Sequence, residues 1–348
     1  MRAFVVTGPR RSQVAEVENP RPLPGQVVVD IERVGVCGTD VEFFTGEMAY
    51  LHQGHARYPM RLGHEWCGTV SAIGDDVDAA WLGRRTTGDT MLGCGRCDRC
   101  LGGRQHVCEE RCEVGIRGGF PGALAEQLAV PVTALHPLPD AVDDVAGALV
   151  EPGGNALRSV WGASLRPGER VLVVGPGTIG LLAAMFALAD GAEVHVLGLS
   201  RPSLDFAGTL GVHGAWTAAD MPRLPFDAVI DASNSPDLPA RALDLVEPGK
   251  RVVYIGVAGR PSTVDTRTIV LKEITAVGIL GASSGLAGAI KRYAAGSVDP
   301  RPLLSATVGL EDVSQVLAGW RPAGSGPGPK VQVDPRCLPW ASWAAEAV

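Results

Sequence analysis

Four cysteines in one short glycine-rich stretch constrain this chain more than any other segment. They follow the spacing C-x2-C-x2-C-x7-C at Cys94, Cys97, Cys100 and Cys108. Four thiolates that converge in this way satisfy a tetrahedral zinc ion and leave no open position, which is typical of a structural site. The sequence therefore predicts a structural zinc lobe over about residues 93–110.

Two alternatives to zinc explain the same cysteines less well. An iron–sulfur cluster can use three cysteines at this spacing, but the bacterial pattern closes with C-x3-C-P, whereas Glu109 follows Cys108. Disulfides are the other alternative. They are typical of small secreted domains, and a chain of 348 residues can bury its own core.

Length and composition indicate an ordinary globular protein of two domains. The chain has 348 residues, 46% hydrophobic and 20% charged, with a formal net charge of -7. An acidic balance argues against a nucleic-acid or anionic-membrane partner. No apolar run is long enough to span a bilayer, and no signal-peptide pattern opens the chain. We expect a cytoplasmic protein, since eight cysteines with four on one metal fit a reducing compartment.

The first 150 residues or so are rich in short β-type runs. These runs, at 27–31, 68–74 and 124–130, are separated by frequent proline and glycine, so that no long helix fits. The pattern predicts a small β-barrel or sandwich that carries the cysteine lobe.

After about residue 152 strands alternate with helices. Predicted strands lie at 171–174, 193–197, 228–230, 251–255 and 274–280, and helices at 179–189, 203–210 and about 285–295. This alternation predicts a doubly wound parallel sheet. A last strand at 330–333 has the β character of the first region, so a discontinuous domain would enclose the second one. The tail 335–348, with Trp340 and Trp343, has no assignment.

The segment Gly175-Pro176-Gly177-Thr178-Ile179-Gly180 is a G-x-G-x-x-G motif. It follows a buried strand and opens an apolar helix, which is the context of a dinucleotide-binding loop rather than of a plain glycine turn. The glycines permit the tight turn, the approach to a pyrophosphate and the close packing of helix on strand. Residues that end two later strands complete the predicted cofactor site: Ile255, Gly256, Val257, Ile279 and Leu280.

The choice between NAD and NADP depends on the end of the next strand. NAD-binding proteins place an acidic residue there, but this chain has Gly198. A glycine makes room for a 2′-phosphate, which Ser200 and Arg201 could bind. Alternatively, Arg201 is a solvated surface residue and either cofactor is accepted. We expect NADP to be favoured over NAD.

Three further motifs, together with the lobe and the glycine loop, carry a resemblance that covers about residues 20–333. They are Gly35-Val36-Cys37-Gly38-Thr39-Asp40, Gly63-His64-Glu65 and Glu151-Pro152. The chain resembles the zinc-dependent alcohol and polyol dehydrogenases of the medium-chain dehydrogenase/reductase family. The resemblance implies a GroES-like β-rich catalytic domain, residues 1–152 and 290–348, and a Rossmann NAD(P)-binding domain, residues 153–289.

The resemblance also implies a catalytic zinc ion bound by Cys37, His64 and Glu151. Many alcohol-oxidising relatives have cysteine at the third position, and glutamate resembles the polyol, threonine and sugar branches. Zinc with three protein ligands and one open position can bind a hydroxyl and lower its pKa, as hydride removal requires. Glu65 either ligates the metal during ligand exchange or supports it from outside. Each ligand residue alone could instead have a purely structural role.

The same resemblance implies that Thr39 takes the proton from the substrate hydroxyl. Two residues beyond Asp40 many relatives carry a histidine that continues this relay, but the chain has Glu42, as in archaeal glucose dehydrogenases of the family. Glu42 either accepts hydrogen bonds from substrate hydroxyls or is a solvated charge. His52 and His55 border the predicted cleft without an assigned role.

These observations predict an oxidoreductase with two zinc ions per chain that acts on a secondary alcohol of a polar, polyol-like or sugar-like small molecule. An L-threonine-type amino alcohol is the alternative substrate. A non-catalytic NADP(H) sensor of the same fold is the alternative from another class, although the three intact metal ligands argue against it. We also expect a homo-oligomer, a dimer or tetramer.

Overall fold

The computed structural model describes residues 1–337, and the predicted tail with Trp340 and Trp343 lies largely outside the described residues. The strands are β1 Arg2–Gly8, β2 Arg11–Glu16, β3 Gln26–Gly35, β4 Met60–Arg61, β5 Glu65–Ile73, β6 Arg85–Gly88, β7 Met91–Leu92, β8 Cys112–Glu113, β9 Gln127–Pro131, β10 Leu135–Pro137, β11 Arg170–Val174, β12 Glu193–Leu197, β13 Gly214–Trp216, β14 Phe226–Asp231, β15 Val246–Tyr254, β16 Thr275–Gly278, β17 Leu304–Val308 and β18 Lys330–Val333. The helices are α1 Gly38–Thr45, α2 Ala49–His52, α3 Asp98–Leu101, α4 Asp144–Gly147, α5 Val150–Ala163, α6 Thr178–Ala189, α7 Arg201–Thr209, α8 Leu238–Leu245, α9 Thr266–Leu271, α10 Leu286–Ala294 and α11 Val313–Leu317.

A largely antiparallel β structure forms the N-terminal part, as its β-type runs predict. Its main sheet has the order β10-β6-β5-β3-β18-β17, with β9 also paired to β3. The long strand β3 is central because its apolar side chains, among them Val27, Val29 and Ile31, are completely buried. The helices before α5 are short, at most eight residues, which agrees with the density of proline and glycine.

Strand β18, which lies near the end of the described chain, pairs with the early strand β3. Gln332 and Val333 pair with Gly35 and Val34 of β3, although almost 300 residues separate them in sequence. The chain therefore returns to its first sheet after completing the second one. This pairing also brings Lys330 beside the segment that carries Cys37.

The second sheet is entirely parallel and has the order β13-β12-β11-β14-β15-β16. Relative to its own first strand β11, this is the order 3-2-1-4-5-6 of the Rossmann fold, and the predicted doubly wound sheet is confirmed. Its central strands are continuous apolar runs, such as Val171–Val174, because helices cover both faces.

Helix α5 connects the two parts and packs against both. It contacts α6 and α10 beside the parallel sheet, and it also contacts β5 and β6 of the N-terminal sheet. The residue with the predicted ligand role, Glu151, lies in its first turn. Among the described helices, none is both long and apolar enough to cross a membrane.

Candidate functional site

Cys37 lies at the N-terminus of α1, where the chain leaves the end of β3. Its backbone N–H donates to Asp40 Oδ2 at 2.9 Å, and Gly63 N donates to the other oxygen of Asp40 at 3.2 Å. Asp40 is completely buried. Its carboxylate therefore holds together the two segments that carry Cys37 and His64, a role that the sequence motif alone did not reveal.

The side chains of Cys37, His64 and Glu65 converge. Their ligand atoms all lie within 4.8 Å of one another. His64 Nδ1 is buried and has no hydrogen-bond partner, the nearest carboxylate oxygen, Asp40 Oδ1, being 3.6 Å away. Burial alone would lower the pKa of His64, but the charges and hydrogen bonding of Asp40 and Cys37 together outweigh burial and raise that pKa well above its usual range. A thiol, an imidazole and a carboxylate with an unpaired buried nitrogen are a donor set that fits zinc.

Glu151 is buried but lies outside this set of three at the same distance limit. Asn155 Nδ2, one turn further along α5, donates to Glu151 Oε1 at 2.9 Å. Burial raises the pKa of Glu151 to about 7, the charge of Glu65 adds to this rise, and His64 opposes it. Because the charges of His64 and Glu65 both affect this pKa, the carboxyl group of Glu151 lies near these two residues. This is where a further ligand of the metal ion would be expected.

Lys330 is a residue of the site that sequence analysis missed. Its ammonium group donates to Glu65 Oε2 at 2.6 Å and to the carbonyl of Val36 at 2.9 Å. Burial alone would lower the pKa of Lys330, but Glu65 beside it raises the pKa above its usual value. No local motif marks this lysine, because only the pairing of β18 with β3 brings it to the site.

Thr39 and Glu42 lie on α1, next to Cys37. Thr39 is in the first turn and half-buried. Glu42 is also half-buried, and burial, with a smaller contribution from Glu47, raises the pKa of its carboxyl group. Both side chains are therefore partly accessible, on the helix that begins directly after Cys37.

The four lobe cysteines converge as their spacing predicts. Their sulfur atoms lie within 4.8 Å of one another, and Cys94–Cys100 and Cys97–Cys108 are 4.0 and 3.8 Å apart. Sulfurs bound to one zinc ion at about 2.3 Å lie about 3.8 Å apart, so the lobe fits a closed tetrahedral site. All eight cysteines are free, which excludes a disulfide in the lobe.

Asp89 connects the lobe with the segment that follows β16. Its carboxylate is buried and accepts hydrogen bonds from Gln105 Nε2 in the lobe at 3.0 Å and from Ser283 Oγ at 3.1 Å. A second link joins the same regions, since Arg158 of α5 contacts both His106 and the carbonyl of Gly281. The lobe is thus attached to residues directly beyond Ile279 and Leu280.

The glycine loop has the geometry of a dinucleotide-binding turn. Gly175 has φ +98, and a Cβ at Gly180 would lie 2.0 Å from Gly175 O. Gly177, at the N-terminus of α6, faces open space, so its backbone is accessible to a pyrophosphate. By contrast, a Cβ at Gly256 would lie 1.7 Å from Ser233 O. The close approach of the Ser233 backbone therefore requires glycine at residue 256, without reference to a cofactor.

The residues predicted to determine the preference between NAD and NADP follow β12. They are Gly198, Ser200 and Arg201. A Cβ at Gly198 would lie 2.7 Å from Pro176 Cγ, so a larger residue there requires Pro176 to move. Arg201 is exposed and forms an ion pair with Asp220. The side chains of Val257 and Leu280 are exposed at the ends of their strands.

Two family models match the chain. The alcohol dehydrogenase GroES-like domain matches residues 23–140, and the zinc-binding dehydrogenase domain matches residues 178–295. An L-threonine 3-dehydrogenase from Streptomyces avermitilis is 33% identical over 333 residues, which cover 92% of this chain and 94% of that protein.

Solved structures agree with these matches. A protein described as a short chain alcohol dehydrogenase from Escherichia coli CFT073, complexed with NADH, has a TM-score of 0.87 at 25% identity and covers 96% of this chain and 99% of its own. A putative zinc-binding dehydrogenase from Sinorhizobium meliloti 1021, bound to NADP, has a TM-score of 0.86 at 27% identity with the same coverage of both chains. The protein described here belongs to the zinc-dependent medium-chain dehydrogenase/reductase family and is an NAD(P)-dependent alcohol dehydrogenase of that family.

Proposed function

We propose that this dehydrogenase transfers hydride between a secondary alcohol of a polar, polyol-like or sugar-like substrate and NADP or NAD. The observation that carries the proposal is the buried group of Cys37, His64 and Glu65, with Glu151 at the start of α5. A glutamate rather than a cysteine at residue 151 is the feature that favours polar substrates. A zinc ion bound there would supply the Lewis acidity that lowers the pKa of a substrate hydroxyl.

The residues of the chain have distinct roles in this scheme. Thr39, half-buried beside Cys37, accepts the proton that the hydroxyl loses and passes it toward solvent. Glu42 accepts hydrogen bonds from further hydroxyls of the substrate, which suits its half-buried position. Asp40 and Lys330 hold the ligand-bearing segments and Glu65 in place.

Two zinc ions per chain are part of the proposal. Three protein ligands at the Cys37 and His64 site would leave a tetrahedral zinc ion one position for a substrate oxygen. The four sulfurs of Cys94, Cys97, Cys100 and Cys108, which lie within 4.8 Å of one another, would fill all four positions of a second ion. The backbone N–H groups of Arg96 and Cys97 lower the pKa of Cys94 to about 6, whereas desolvation raises that of Cys100 to about 11. The cysteines therefore do not ionise alike, and a bound metal ion would hold all four as thiolates.

A preference for NADP over NAD is supported by Gly198. The chain has no acidic residue at the position that binds the ribose in NAD enzymes, and the nearby Pro176 Cγ disfavours a larger side chain there. Ser200 and Arg201 are the proposed partners of the 2′-phosphate. Arg201 would then exchange Asp220 for the phosphate.

We also propose that the protein is a homo-oligomer. Strand β16 pairs with β15 on one side, and its other edge carries no strand among residues 1–337. Beside it, Val270 and Leu271 of α9 are 75% and 84% exposed. An open edge next to apolar side chains favours pairing with a second copy.

We further propose that the catalytic domain comprises residues 1–152 and 290–348 and that the NAD(P)-binding domain comprises residues 153–289. We also propose a cytoplasmic location, which the eight free cysteines support.

An amino alcohol of the L-threonine type is the second candidate substrate. It is favoured by the 33% identity to an L-threonine 3-dehydrogenase. A panel of polyols, sugars and amino alcohols, each assayed with NAD⁺ and NADP⁺, tests the whole proposal. Reduction of either cofactor by a polyol or sugar supports it. Turnover of L-threonine alone would replace it with the second candidate.

A further inference from the structure

A tight turn lies directly against the segment that carries His64. The backbones of Glu113 and Arg117 exchange two hydrogen bonds of 3.0 Å, and a Cβ at Gly115 would lie 2.8 Å from Gly63 O. Val114 N donates to the carbonyl of Thr90, whose hydroxyl donates in turn to the carbonyl of His64 at 3.2 Å. Arg117 is two residues beyond Gly115, at most about 7 Å along the chain. The turn is thus a fixed wall beside the metal-ligand segment.

Helix α2 stands between this turn and α1. The carbonyl of Glu42 on α1 accepts hydrogen bonds from the backbone at residues 46–48, just before α2. On the other side, Gly118 N donates to the carbonyl of His55 at 3.0 Å. Tyr50 of α2 is therefore held beside the turn, and Arg117 lies over its ring at 5.6 Å.

Two arginines meet Tyr50, but only one of them has a carboxylate partner. Arg111 Nε donates to the buried Glu113 Oε1 at 2.8 Å, and Arg111 Nη2 donates to the phenol oxygen of Tyr50 at 3.3 Å. The charge of Arg111 is thus neutralised. Arg117 has the Tyr50 ring as its neighbour, and within residues 1–337 its guanidinium forms neither an ion pair nor a side-chain hydrogen bond.

A stacked guanidinium with no carboxylate partner is suited to an anion. Stacking on the ring restricts the guanidinium plane and leaves its N–H edge unused. That edge matches two oxygens of a carboxylate or phosphate and can bind them in a bidentate way. Since Gly115 packs against Gly63, the turn that carries Arg117 lies beside the His64 segment, where the far end of a bound alcohol could extend.

We propose that Arg117, held by Tyr50, binds an anionic group of the substrate, so that the preferred substrate is a polar alcohol carrying a carboxylate or a phosphate. This inference rests on the proposed dehydrogenase function and specifies its substrate class. The same guanidinium edge can bind a carboxylate or a phosphate, and the experiment distinguishes substrates that carry one from those that carry the other.

The experiment compares neutral and charged alcohols of equal chain length: a hexitol, the corresponding hexitol phosphate and the corresponding aldonate, with L-threonine and L-threonine amide as a second pair. We expect a kcat/KM at least tenfold higher for the member of a pair that carries a carboxylate or a phosphate. Arg117→Gln lowers kcat/KM for the charged substrates at least tenfold more than for the neutral ones, mainly through KM. Arg117→Lys retains part of the preference for the charged substrates. The matched control is Arg57→Gln, since Arg57 is an exposed arginine of the loop before β4 and its removal changes the net charge equally.

Calorimetry with inorganic phosphate gives a second readout. It uses zinc-loaded protein saturated with NADPH, whose own 2′-phosphate fills the proposed site at Ser200 and Arg201. We expect binding that Arg117→Gln abolishes and Arg57→Gln retains. Equal kcat/KM for neutral and charged alcohols, or equal effects of the two variants, would overturn the inference. If no alcohol of the panel is turned over, the proposed function fails, and the anion site is then decided by phosphate binding alone.

Discussion

Lys330 Nζ lies 2.6 Å from Glu65 Oε2, and both side chains are 2–3% exposed. A buried ion pair of this kind requires each partner, because removing one leaves the other charged without water. The pair connects the last described strand with the residue directly after His64. The candidate metal site is therefore supported from a part of the chain remote in sequence.

Replacing Lys330 by Met should destabilise the protein by about 3–5 kcal/mol, since Glu65 would keep a buried charge without a partner. Urea unfolding at equal zinc load measures the change. Lys330→Arg is the control and should retain most of the stability. A Lys330→Met protein as stable as the wild type would show that Glu65 does not depend on this contact.

Cys37→Ser should affect turnover and Cys97→Ser should affect stability, because the two cysteines belong to different metal sites. We expect Cys37→Ser to lose turnover and about one zinc per chain while its unfolding temperature stays near that of the wild type. Cys97→Ser should instead lower the unfolding temperature, since its sulfur holds the lobe together. Zinc analysis and thermal unfolding distinguish them. Near wild-type turnover in Cys37→Ser would contradict the assignment.

Zinc affinity at the Cys37–His64 site should fall as the pH drops below about 7. Burial raises the pKa of Glu151 to about 7, so the metal-free protein takes up a proton there below that pH. Zinc needs the carboxylate and must displace this proton, so Glu151 contributes about a tenfold fall in apparent affinity per pH unit. Displacement of the proton from His64, whose pKa is also raised, makes the total fall steeper. Above pH 7 the carboxylate is already formed and the contribution of Glu151 no longer changes. Zinc retained after dialysis at each pH measures the effect, and Cys37→Ser reports the pH profile of the lobe alone.

Arg201→Ala should weaken NADP⁺ more than NAD⁺, because it removes a charge-assisted contact with the 2′-phosphate. We expect the ratio of the two kcat/KM values to change by about tenfold. Gly198→Asp should shift the preference in the same direction, but its Cβ also meets Pro176. Gly198→Ala separates this steric effect from the charge. A wild-type protein that strongly prefers NAD⁺ would refute the role of Arg201.

The features that sequence analysis identified are local ones. The lobe and the glycine loop are complete within 15 and six residues, so spacing alone predicts their geometry. Strand limits were less accurate: the run predicted at 124–130 forms β9 only from Gln127, because Leu124 bonds instead to the backbones of Phe4 and Leu62. Lys330 could not be predicted, since a lysine in a short apolar strand gives no sign of a partner 265 residues away.

Asp89 gives the cysteine lobe a consequence beyond its own stability. One carboxylate oxygen binds the lobe through Gln105 and the other binds Ser283, close to the strand end that borders the proposed cofactor site. Slow removal of metal by a chelator would release Gln105 first and then relax the region around Ser283. A protein that has lost only the lobe zinc would accordingly bind the cofactor more weakly, although the ion that meets the substrate is still in place.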